Sequence, residues 1–243
     1  MLDVSEVQRA LVITAHPDDV DFGAAGSVAN MTDVGVEVVY CLVTDGDAGG
    51  FDQTIPRPEM AQLRREEQTR AAKEVGVERL IFLGFGDGRV EYNLALREAL
   101  SRVIREVRPQ RVVTQSPYLS LSRIYASHPD HVATAQAAMA AVYPDARNPF
   151  AYPGLLAEGL EPWSVPEVWT MSFTGGDPEA VVHVEDVTAN VDRKIRALMR
   201  HETQHVDPAG IEARVRGWMQ MNAQRHGLAD GSAAEVFQVV DTR

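Results

Sequence analysis

Four short apolar runs limit the folds open to this 243-residue chain: ALVITA (10–15), VEVVYCLVT (36–44), RLIFLG (79–84) and RVVTQS (111–116). Each is rich in aliphatic and β-branched residues and ends in turn residues. Between them lie longer segments with helical periodicity, roughly 24–33, 59–75, 92–107 and 130–143. Strands that are apolar along nearly their whole length are buried on both faces. Their alternation with helices predicts an α/β, Rossmann-like fold, with a mostly parallel sheet and helices on both faces. Such sheets place their sites at the carboxyl ends of the strands.

Beyond residue 143 the pattern changes. The stretch from about 144 to 165, rich in Pro, Gly and aromatics, predicts a long loop. EVWTMSF (167–173) and AVVHV (180–184) look like strands, 189–205 and 209–226 like helices, and FQVVD (237–241) could close the sheet. With no internal repeat, the whole chain, 1–243, is expected to form one domain, a Rossmann-like core at 1–145 extended by 146–243.

Charge and composition exclude several partners. A net charge of −12 argues against nucleic acid, whose binding relies on Lys and Arg, and against an anionic membrane surface. No apolar run is long enough to span a membrane. The start, MLDVSEVQRA, lacks a secretion-signal pattern, and a lone cysteine, Cys41, rules out an internal disulfide. A cytoplasmic location is expected. The oligomeric state stays open, a homo-oligomer included.

The chemistry concentrates in two places. The first strand runs straight into His16, Pro17, Asp18 and Asp19; the fourth is followed by Ser127, His128, Pro129, Asp130 and His131. Either cluster alone reads as a strand-to-helix turn, with Asp or Ser as N-cap and Pro in the first turn. Together they read as two halves of one site. His16 with Asp19, and His128 with His131, are each three apart, so each pair shares a helical face. Two imidazoles and a carboxylate, His16, His131 and Asp19, suit a catalytic zinc that keeps one position open. Consecutive residues point different ways, so Asp18 is free to take a proton from the bound water. His128 would face the substrate, stabilising an oxyanion or protonating a leaving amine. Asp130 could hold the His128 imidazole in one tautomer.

AHPDD (15–19) and HPDH (128–131) resemble the paired motifs of the PIG-L/LmbE-like family of zinc-dependent N-deacetylases. VTDGDAGG (43–50), LRREEQTRAAKEVGV (63–77), LGFGDGRV (83–90) and KIRALMRHETQ (194–204) extend the resemblance in order along most of the chain. It implies the same roles: His16, Asp19 and His131 as ligands of Zn2+ (Fe2+ being the alternative), Asp18 as general base, and His128 assisting at the tetrahedral intermediate. The implied activity is removal of an N-acetyl group from a small-molecule N-acetylglucosamine conjugate. Amide cleavage of a mycothiol-type conjugate is an alternative, and a non-catalytic metal- or nucleotide-binding module is another. The resemblance also places Arg64 and Asp87 where sugar-bound relatives contact sugar hydroxyls. One departure concerns a tyrosine that sugar-thiol relatives carry two residues before HPDH. Here Ala126 occupies that position, and Tyr125 lies one residue away.

The remaining candidates read as structural. Cys41 lies mid-strand as a small core residue. DFGAAGS (21–27) lacks a dinucleotide fingerprint. His183, His201, His205 and His226 fall outside the paired motifs, and a surface or supporting role is expected for His201. Trp163 and Trp169 read as core anchors, with stacking of a Trp on a sugar as the alternative.

Overall fold

The computed structural model describes residues 1–121, 124, 127–171 and 179–243. Its centre is a seven-stranded sheet in the order β3-β2-β1-β4-β5-β7-β6. The strands are β1 (Arg9–Thr14), β2 (Glu37–Thr44), β3 (Arg79–Phe85), β4 (Arg111–Thr114), β5 (Glu167–Met171), β6 (Val181–Asp186) and β7 (Ala234–Asp241). The helices are α1 (Asp19–Gly23), α2 (Ala25–Asp33), α3 (Arg57–Glu74), α4 (Leu94–Val107), α5 (Pro129–Ala140), α6 (Pro153–Ala157), α7 (Val191–Leu198) and α8 (Pro208–Arg225).

Strands β1 to β5 are parallel, as the unbroken apolar runs require. In β1 and β2 successive side chains enter opposite cores. Val12, Tyr40 and Leu42 pack against Ala25, Val28 and Ala29 of α2 and Ala71 and Ala72 of α3. Leu11, Ile13, Val39 and Cys41 pack against Leu96, Leu100 and Ile104 of α4 and Ala137 and Ala138 of α5. The Cys41 thiol is fully buried, which pushes its pKa up to about 12 and leaves it an inert core group.

The second half departs from expectation in three ways, and the stacking alternative for Trp163 falls away. FQVVD lies within the longer β7, which does not close the sheet at its edge: it inserts antiparallel between β5 and β6. The predicted loop at 144–165 contains α6 and is tied down from α4, where buried Arg105 donates to the carbonyls of Asp145, Ala146, Asn148 and Ala151. The helix expected over 189–205 stops at Leu198. Trp163 donates to the Pro109 carbonyl, at the amino ends of the strands, so it cannot stack on a ligand at the carboxyl ends. Trp169 is buried in β5 with the Arg111 guanidinium over its ring, as a core anchor should be.

The topology locates a crevice. From β1 the chain steps outward to β2 and β3, then crosses to the other side of β1 for β4. The connections leaving β1 and β4 therefore diverge between neighbouring strands, which opens the sheet's carboxyl edge at that point. Helix α1, which starts there, is held from behind. The Lys194 ammonium, fully buried in α7, pairs with Glu235 of β7 and donates to the Phe22 carbonyl of α1. Glu235 also accepts from Gly26 N, Ser27 N and Ser27 Oγ of α2. Removing one partner of a buried pair strands the other's charge, so Glu235→Ala should cost about 3–5 kcal/mol in urea unfolding. An unchanged midpoint would contradict this anchoring.

Candidate active site

Four connections meet at the crevice. His16 follows β1, and its backbone is fixed because Ala15 O accepts from Thr44 N and Thr44 Oγ1 at 2.8 and 2.9 Å. The loop after β2 supplies Gly46 and Ala48, the turn after β3 supplies Asp87, and the first turn of α5 supplies His128, Asp130 and His131.

Three donors form a triangle. His16 Nδ1 lies 3.2 Å from His131 Nε2 and 3.4 Å from Asp19 Oδ2, and Asp19 Oδ1 lies 3.0 Å from His131 Nε2. Ligand atoms about 2.0–2.2 Å from one tetrahedral metal stand about 3.3–3.5 Å apart, so the triangle has the right size for a metal ion. The other face of His16 settles its tautomer. Its Nε2 lies 3.1 Å from Asp130 Oδ2 and 3.2 Å from Asp87 Oδ1, so in the neutral ring the proton sits there and the Nδ1 lone pair is the one turned to the triangle. His16 Nδ1, His131 Nε2 and the Asp19 carboxylate face one another, an arrangement that a cation satisfies.

The electrostatics call for positive charge at His16. Burial alone would lower the basicity of His16, but Asp19, Asp130 and Asp87 outweigh it and push its pKa up to about 12. Burial would raise Asp19, yet His131 and His16 hold it well below the usual carboxylate range. Asp87 is likewise opposed by burial and brought down to about 2, chiefly by His16. A second donor set, His16, Asp87 and Asp130, also converges, as does the trio of imidazoles His16, His128 and His131. The first of these uses the protonated face of His16, so the Nδ1 side is the better cation site.

Asp18 behaves unlike its neighbour. It occupies the N-cap position of α1 but makes no side-chain cap bond, because φ is +90° and turns the carboxylate away from the helix. Oδ2 instead takes Arg64 Nη2 at 3.0 Å. Burial raises the Asp18 pKa and the Asp19 charge adds to this, while Arg64 opposes it. Gly46, at φ +67°, makes room for Arg64; an added Cβ there would fall 2.4 Å from Arg64 Nη1.

Two expected roles are corrected. The Asp130 carboxylate does not orient His128. It accepts from Gly88 N at 2.7 Å and Val90 N at 3.2 Å and faces His16 Nε2. The Asp130 backbone N–H instead donates to His128 Nδ1 at 3.2 Å. The neutral His128 ring therefore carries its proton on Nε2, and burial with nearby His16 and His131 keeps its pKa low. Nor do Arg64 and Asp87 offer free groups to a polyol. Arg64 is buried, its terminal nitrogens spent on Gly46 O, Pro17 O and Asp18. Asp87 Oδ2 accepts from Ala48 N at 2.9 Å while Oδ1 faces His16. Tyr125 and Ala126 lie outside the described residues.

The chain is similar to known proteins in sequence and fold. Residues 11–142 match the PIG-L family, described as GlcNAc-PI de-N-acetylase. The chain belongs to the PIG-L family. It is accordingly an amidohydrolase of the N-deacetylase class. The diacetylchitobiose deacetylase of Thermococcus kodakarensis is 34% identical over 200 residues, covering 82% of this chain and 71% of that one. The solved structure of N,N'-diacetylchitobiose deacetylase from Pyrococcus horikoshii with its inhibitor MPG superposes with a TM-score of 0.87. It is 26% identical and covers 98% of this chain and 85% of that one. A 4-carboxy-2-hydroxymuconate hydratase from Pseudomonas putida, 22% identical, covers 97% of each chain with a TM-score of 0.77 and shares the fold alone.

Sequence reasoning passed over Gln68 and Asp21, which lie beneath Asp18, because neither belongs to a paired motif. The orienting role of Asp130 gives a direct test. Outer-shell partners of this kind are worth about 10–100-fold in metal affinity, so Asp130→Asn should weaken zinc binding by that much in a chelator competition. Unchanged affinity would mean that the His16 tautomer does not depend on Asp130.

Proposed function

We propose that the chain is a zinc-dependent deacetylase that removes the acetyl group from a small-molecule N-acetylglucosamine conjugate. His16, Asp19 and His131 hold the metal in this reading, and Asp18 is the general base. The observation that carries it is the division of labour between adjacent aspartates: Asp19 faces the imidazoles, while Asp18 turns through a positive φ toward Arg64. Metal binding alone has no use for Asp18 in that conformation, which speaks against a non-catalytic module.

Zinc, bound in the triangle, would polarise the acetamide carbonyl and lower the pKa of water to about 7. Asp18 accepts the proton of the attacking water. Its pKa, raised by desolvation and by the Asp19 charge against the opposing Arg64, makes it a stronger base than an ordinary carboxylate. His128, with Nδ1 capping α5, presents Nε2–H to the developing oxyanion. The intermediate collapses as the C–N bond breaks, and the proton held by Asp18 passes to the leaving nitrogen, giving acetate and a free amine.

The named relatives support an N-acetyl sugar as substrate, since two of them act on diacetylchitobiose. Asp18→Asn should keep the metal at wild-type stoichiometry and lose about 10²–10⁴-fold in acetate release from N,N'-diacetylchitobiose. Full activity in that variant would remove Asp18 as the base. Release of acetate from no N-acetylglucosamine conjugate would redirect the assignment to another amide, such as that of a thiol-sugar conjugate.

A further inference from the structure

The conformation of Asp18 needs an explanation, because a side chain other than glycine held in the left-handed region costs about 1–3 kcal/mol. Helix α3 supplies it. Arg64 and Gln68 are one turn apart on α3 and grip one peptide group from both ends. Arg64 Nη2 donates to the Pro17 carbonyl, and the Asp18 N–H of that same peptide donates to Gln68 Oε1 at 2.8 Å. A flip of the Pro17–Asp18 peptide, the motion that would release Asp18 from positive φ, would break both bonds.

Gln68 itself is locked. Its Nε2 donates to Asp21 Oδ2 at 2.8 Å, and the same oxygen lies 2.8 Å from His201 Nε2. Turning the Gln68 amide over would set its NH2 against the Asp18 N–H and its carbonyl against the Asp21 carboxylate, two repulsive contacts. Gln68, Asp21 and His201 are all fully buried. His201, expected at the surface or in support, is thus the far end of a polar chain reaching the proposed base. It gets there because α7 stops at Leu198 and the chain turns inward. Filling this volume with a carboxamide, a carboxylate and an imidazole costs far more than filling it with apolar side chains. Every link points toward Asp18.

We propose that Gln68 is a positioning residue for the general base, held in its working orientation by Asp21 and His201. Among the described residues, none of these hydrogen bonds runs to His16, Asp19 or His131. The polar chain sets where the Asp18 carboxylate stands, and so couples the turn after α7 to catalysis. This rests on the assignment of Asp18 above.

Two readouts test it separately from that assignment. The first needs no substrate. In a crystal structure of zinc-loaded Gln68→Met, Asp18 should leave positive φ and lose the Arg64 contact; an Asp18 unmoved would overturn the proposal. The second uses N,N'-diacetylchitobiose. A misplaced base can cost about 100-fold in rate, so Gln68→Met should lose about that in kcat, with zinc content and KM little changed. The loss should vanish when Gln68→Met is made on top of Asp18→Asn, because Gln68 acts only through Asp18. Equal losses in both backgrounds would make Gln68 a general structural residue and defeat the proposal. A wild-type protein that releases no acetate would count against the proposed function, while the crystallographic readout still decides this one. Should Gln68→Met not fold, His201→Gln carries the same comparisons, since it keeps a donor but not the ring that reaches Asp21.

Discussion

Three carboxylates converge on one buried imidazole, and much of the molecule follows from that. Asp19, Asp87 and Asp130 all lie within 3.4 Å of a ring nitrogen of His16, in a crevice where water screens little. So much negative charge in low dielectric demands a positive partner. Protonating His16 answers the demand in part; a divalent cation at Nδ1 answers more of it and uses His131 as well. The parallel sheet makes this convergence affordable by bringing β1, β3 and β4 side by side or nearly so, their carboxyl ends together at the point where the chain reverses direction across the sheet.

Around that centre the neighbouring groups are kept apart by backbone geometry more than by distance in sequence. Asp18 and Asp19 are consecutive, yet one turns toward Arg64 and the other toward His131. His128 and Asp130 are two apart, yet the first caps α5 while the second reaches back to His16 and the turn after β3. Each pair divides its work because a helix start changes side-chain direction sharply over one or two residues. A fold shared with a hydratase shows that the scaffold alone does not choose the reaction. The choice lies in these few side chains.

The sequence made the frame legible because its signals are local. Apolar runs at β1, β2, β3 and β4, and two His-Pro-Asp clusters after strands, sufficed for a parallel sheet with a site above it. What escaped was non-local. Nothing in FQVVD says that its strand inserts antiparallel between β5 and β6, since strand order depends on packing across the whole sheet. Asp130 was paired with His128 by proximity in sequence, whereas its true neighbours are Gly88, Val90 and His16, more than forty, about forty and more than a hundred residues away. Gln68 carries no signal of its own and His201 reads only as a surface or supporting residue, because the contact that gives each its purpose, Asp18 for one and Asp21 for the other, lies on a different element.

The Nδ1 face of His16, not its Nε2 face, is the one that receives the metal in this site. Anomalous diffraction at the zinc edge, on crystals of the zinc-loaded protein, tests it most directly. The account requires one strong peak bonded to His16 Nδ1, Asp19 and His131 Nε2, with Asp130 still on His16 Nε2. A peak bonded to His16 Nε2, Asp87 and Asp130 would contradict it.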